Sequence, residues 1–120
     1  MKFPGWFGII VGIAMLAQWS FFLATGQVPE LETEPFRIYF HLASEFVTAM
    51  GLIVSGIGLL MNKSWGKIGY LVATGMLLYS VIVSPGYFAQ QGQWAPVGMF
   101  AVLFILALVS VGYVLRSKPA

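Results

Sequence analysis

Glu45 stands apart from the other charged residues of this 120-residue chain. It lies inside an apolar stretch, while every other acidic or basic residue sits at the edge of such a stretch or between two of them. If the stretch is helical, Glu45 lies about 8 residues inside it, on the order of 12 Å along the axis. An ionisable group at that depth is costly and is usually paired or used. His41, the one histidine, precedes it by a single helical turn. Three states are open to the pair: a neutral carboxyl beside the imidazole, an ion pair with protonated His41, or a proton or ligand shared between them.

More polarity follows on the same face. His41, Ser44, Glu45, Thr48, Gly51, Ser55 and Gly58 recur at helical spacing and end near Asn62, so they line one side of a helix. Phe40, Phe46, Val47, Ile53, Val54, Ile57 and Leu60 take the other side. A helix sorted this way is expected to turn its small and polar stripe into a bundle and its bulky face to lipid. Gln18 and Tyr79, on neighbouring segments, should sit at the depth of Glu45. The expected site is therefore a pocket around Gln18, His41, Glu45 and Tyr79, with Ser44 and Thr48 beside it.

Several chemistries compete for such a site. A hydrogen-bonded clamp between helices would contribute roughly 0.6–2 kcal/mol per bond and needs no further role. A carboxylate facing a cavity can exchange a proton for a cation, as a small coupled carrier would. The small multidrug resistance transporters are similar in size and helix count, but their essential glutamate lies in the first helix and this one in the second, so the likeness is one of scale. His41 could instead serve a haem, a quinone or a metal. One histidine per chain supplies two axial haem ligands only in a dimer. His41 and Glu45 give two metal ligands where a stable site wants three or four, and Gln18 and Tyr79 are poor substitutes. Met15, Met50, Met76 and Met99 place one thioether in each segment, although methionine more often fills gaps. With no cysteine in the chain, disulfides and thiolate chemistry are excluded. There is no Rossmann, P-loop or zinc-protease motif. The cofactor is left open.

The elements that must hold these residues follow from composition. The chain is 59% hydrophobic and 8% charged, with a mean hydropathy of +0.88. A soluble domain is about 25% charged, and so short a chain has little interior in which to hide apolar surface. Four apolar stretches, about 5–24, 37–60, 66–85 and 95–115, are each near the roughly 20 residues that cross a bilayer as a helix. The first is too long for a cleaved signal segment. The breaks at 26–35, 62–67 and 86–96 are polar and rich in proline, glycine or glutamine. Ser84-Pro85-Gly86 should end or kink the third span. The expected fold is an all-α, up-down bundle of four transmembrane helices in one domain, 1–120.

Orientation follows from the positive charges. Lys2, Lys63, Lys67, Arg116 and Lys118 fall on one side, and Arg37 with Glu30, Glu32 and Glu34 on the other. The first side, with both termini, should be cytoplasmic. Trp6, Trp65, Tyr70 and Tyr113 are expected to anchor that interface, and Tyr39, Tyr87, Phe88 and Trp94 the opposite one. The small net charge of +2 gives no sign of nucleic-acid binding. A shift of 61 residues lays Gly8 on Gly69, Val11 on Val72, Gly12 on Ala73 and Met15 on Met76, so the fold could be two hairpins related along the membrane normal. Gly8, Gly12, Gly51, Ser55 and Gly58 are the expected close-packing positions. The expected function is that of a small membrane subunit or binding module rather than an enzyme. Its partners would be the bilayer and a second copy or a larger membrane complex.

Overall fold

Proline and left-handed residues punctuate the chain. In the computed structural model, which describes residues 1–117, α1 spans Lys2–Ala24, α2 Glu30–Thr33, α3 Pro35–Leu60, α4 Gly66–Val83, α5 Pro85–Gln90 and α6 Trp94–Arg116. Pro4, Pro35, Pro85 and Pro96 all fall in the first turn of a helix, where a missing N–H removes no helical bond. Three helix ends share one geometry. Gly26, Asn62 and Gly92 have positive φ. The N–H of the next residue reaches back five positions, Gln27 to Phe22, Lys63 to Gly58 and Gln93 to Phe88, each at 2.9 Å. These bonds satisfy carbonyls that a helix end leaves open. The described residues contain no strand.

Four helices are long and apolar enough to cross a membrane, with α4 and α5 acting together as one stretch, Gly66–Gln90. At Ser84-Pro85-Gly86, where an end or kink is expected, α4 ends at Val83 and α5 begins at Pro85. Ser84 keeps helical dihedrals, and the helical path continues to Gln90. Pro85 opens α5, where its missing N–H removes no helical bond and its fixed φ suits the first turn. The acidic segment at 26–35 is likewise not all loop. It forms α2, and Val28 is buried with Ile38 and Leu42 beneath Trp19, Phe22, Leu31 and Phe46.

The four long helices close a ring. α1 packs on α3, α3 on α4, α4 on α6, and α6 returns to α1. Phe3 of α1 meets Tyr113 of α6 with ring centroids 5.4 Å apart, so the two chain ends share one end of the bundle, called here the terminal end. Lys118, counted among the positive charges there, lies outside the described residues. The ring is tighter at this end. The buried residues of α1 run only from Pro4 to Gly12, and those of α6 are Ala107, Ser110 and Val114. Tyr70, expected as an interface anchor, is instead fully buried at the centre of this half.

The closest approach is between α1 and α3. A Cβ placed on Gly12 would stand 2.6 Å from the Ala49 carbonyl, and one on Gly56 would stand 2.6 Å from that of Gly5. Gly8 faces the Leu52 carbonyl in the same way, and Gly58 faces the Trp65 ring. Gly51 only touches Ala73. Because α3 has neighbours on two sides, Phe46, Ile53 and Leu60 are half-buried rather than turned outward; Ile53 lies against Gly12 and Leu60 against Gly5. The two hairpins do not pack alike: Val11 is buried while its counterpart Val72 is exposed.

Candidate polar site

Glu45 reaches its position because α3 carries it on the side facing α4. The residue is 7% exposed. Its carboxylate oxygen Oε1 accepts a hydrogen bond from the Ser80 hydroxyl of α4 at 2.7 Å. His41 Nε2 stands 3.9 Å from the same oxygen, an ion-pair distance if the ring is protonated but too long for a hydrogen bond. Ser84, one turn past Ser80 and next to Pro85, places its Oγ 3.5 Å from Ser80 Oγ. On the α1 side, Trp19 meets the His41 ring edge-on with centroids 5.6 Å apart. The site therefore joins α1, α3 and α4 at the end of the bundle away from the termini. The His41 side chain keeps 40% of its surface exposed, so the cluster grades from an open imidazole to a buried carboxylate.

The second oxygen of Glu45 is in a different state. Among the described residues Oε2 accepts no hydrogen bond. It is not sealed either, because Thr74 Oγ1 is the one fully enclosed side-chain polar atom there that lacks a partner. One carboxylate oxygen is thus fixed by the fold and the other is left to the surroundings.

Two of the residues expected here are elsewhere. Tyr79 is 71% exposed, and Gln18 is also on the outside. Depth along the bundle is right for both, but helical phase is wrong, since one residue is about 100° of rotation. Ser80 takes the place assigned to Tyr79, and Trp19 the place assigned to Gln18. Phase could have found Ser80, because Ala73, Met76 and Ser80 share a face of α4. Ser44 is exposed and contributes its carbonyl to the Thr48 hydroxyl at 2.7 Å, while Thr48 is buried. Ser55 is buried and bonds the Gly51 carbonyl at 2.6 Å. Thr48 and Ser55 thus satisfy themselves along α3 and bring no free donor to Glu45.

A second polar cluster was not legible beforehand. In the terminal half, Tyr70 donates to Ser110 Oγ of α6 at 2.7 Å, and Ser110 donates to the Ala107 carbonyl at 2.7 Å. Forty residues separate the two side chains, and no local pattern links them. The described residues include no group of three or more His, Cys, Asp or Glu side chains able to hold a metal. A metal at Glu45 would have His41 and the carboxylate alone, short of the three or four ligands a stable site uses.

Ser80→Ala removes the one donor held by Glu45. We expect a loss of about 1 kcal/mol in unfolding free energy, measured by equilibrium unfolding in mixed micelles. An unchanged stability would show that the bond contributes nothing to the α3–α4 contact.

The chain belongs to a family described as a domain of unknown function (DUF8058), whose model matches residues 1–120. No curated protein matches it, and no solved structure does.

Proposed function

We propose that the chain is a small integral membrane protein that works as a non-enzymatic binding module or subunit, with His41, Glu45 and Ser80 as its functional site. Four helices long and apolar enough to span a bilayer support the membrane placement. Lys2, Lys63, Lys67 and Arg116 lie toward the terminal end and Glu30, Glu32, Glu34 and Arg37 toward the other, which supports cytoplasmic termini. One observation carries the functional reading. The deepest charge in the chain is held through one oxygen by Ser80, and no described protein donor reaches the other, which is not sealed in the core. A buried carboxylate with one oxygen still accessible supports a ligand-binding reading.

The exposed imidazole beside the buried carboxylate favours a second reading, a carrier that moves a proton or cation through Glu45. Flux separates the two. In vesicles holding a pH-sensitive dye, under an imposed pH gradient, a binding module and its Glu45→Gln variant should dissipate the gradient at equal rates. A wild-type rate that exceeds the variant's would assign the carrier instead.

A further inference from the structure

We infer that the Glu45 site takes a monovalent organic cation, a protonated amine with an apolar body. This rests on the binding reading above and names its ligand class.

The open carboxylate oxygen asks for one strong donor. Ser80 and Ser84 are already engaged at Oε1 or with each other, and Oε2 has no protein partner among the described residues. In surroundings of low dielectric, a charge-assisted N⁺–H···O⁻ bond is the best match for such an atom. A metal ion is a poorer match. It would need further nitrogen or oxygen ligands, and no third acidic or imidazole group joins His41 and Glu45. A single ammonium needs only the one bond.

The neighbouring surfaces suit the rest of such a ligand. Trp19 lies against His41, and Phe22 meets Trp19 edge-on at 6.1 Å. Together they offer aromatic surface for an apolar body, and indole attracts cations. Charge at this end agrees. Arg37 is held by Glu34 at 3.1 Å, while Glu30 and Glu32 lie on α2 in the same segment. That end is net negative and raises the local concentration of cations.

The test uses the full chain in lipid nanodiscs, with the Trp19 indole N–H resonance as reporter. The probes are N,N-dimethylphenethylamine, cationic at neutral pH, and its neutral analogue phenethyl methyl ether. The amine should shift the resonance saturably. Glu45→Gln should weaken it at least ~10-fold, the scale set by losing one charged partner. The ether should not saturate, and Gly98→Ala, which adds a methyl group to open space away from the site, should keep amine binding within about 3-fold. Equal amine binding in Glu45→Gln would overturn the assignment. If ether and amine saturate alike and both depend on Glu45, the cation class falls while the binding site stands. If neither saturates in the wild type, both fall. Circular dichroism checks that Glu45→Gln folds; should it not, the preference for amine over ether in the wild type decides the matter.

Discussion

Gly12→Leu should lower the unfolding free energy by about 3 kcal/mol, the upper part of the range for overpacking. A Cβ at Gly12 would stand 2.6 Å from the Ala49 carbonyl and 2.6 Å from Ile53 Cγ1. The first of these is backbone, so no rotamer change relieves it and the two helices must move apart. In a bilayer, helices gain little hydrophobic energy from one another, and close packing carries more of their association. Gly56 meets the Gly5 carbonyl from the opposite side, so Gly56→Leu should cost a similar amount. Gly75 and Gly98 supply the control. Nothing lies within 4 Å of a Cβ at either position, and leucine there should change stability by less than about 0.5 kcal/mol. Equilibrium unfolding in mixed micelles reads all four variants. Equal losses at Gly12 and Gly75 would show that the α1–α3 approach is not what the glycines serve. The effect should extend to the polar site, because α1 carries Trp19 two turns beyond Gly12. A displaced α1 loses the Trp19–His41 contact.

Tyr70→Ala should cost about 3–5 kcal/mol, the range for removing a large buried aromatic side chain. Tyr70 is fully buried and belongs to α4, but it touches two other helices. Its ring lies 3.1 Å from the place a Gly8 Cβ would occupy on α1, and its hydroxyl donates to Ser110 of α6. The residue therefore fills the middle of the tighter half. Tyr70→Phe keeps the ring and should cost about 1 kcal/mol, the net worth of one hydrogen bond. Ser110→Ala removes the same bond, so the double variant Tyr70→Phe with Ser110→Ala should cost less than the sum of the two single changes. Thermal unfolding of the series separates filled volume from the hydrogen bond. If Tyr70→Phe proved as damaging as Tyr70→Ala, the hydroxyl rather than the ring would be what organises this half.

The two clusters lie in opposite halves of the bundle. The Tyr70–Ser110 bond runs on to the Ala107 carbonyl in the half where α1 and α6 bury their residues. The Glu45 cluster lies in the half where those two helices bury none, and it keeps one oxygen open.

The amino-acid sequence by itself determined the four long apolar helices, their ends near Gly26, Asn62 and the glutamine-rich turn, and the standing of Glu45 and His41. Those features rest on length, hydropathy, proline and left-handed residues, all of which act within a few positions along the chain. The same local rules placed Gly8, Gly12 and Gly58 on close-packing faces. Tertiary structure alone decided what Glu45 touches. Neighbours on one helix differ by about 100° in direction, so depth selected the right turn of α4 but named Tyr79 where phase puts Ser80, and Gln18 where it puts Trp19. The same is true of Tyr70. Near a helix end it reads as an interface anchor, and only the approach of α1 and α6 makes it the centre of a core. Pro85 marked the end of α4 in the sequence, and only the helical dihedrals of Ser84 decided that α5 follows without a loop. Sequence marked where the deep carboxylate lies; packing decided that Ser80 of α4 is the residue that holds it.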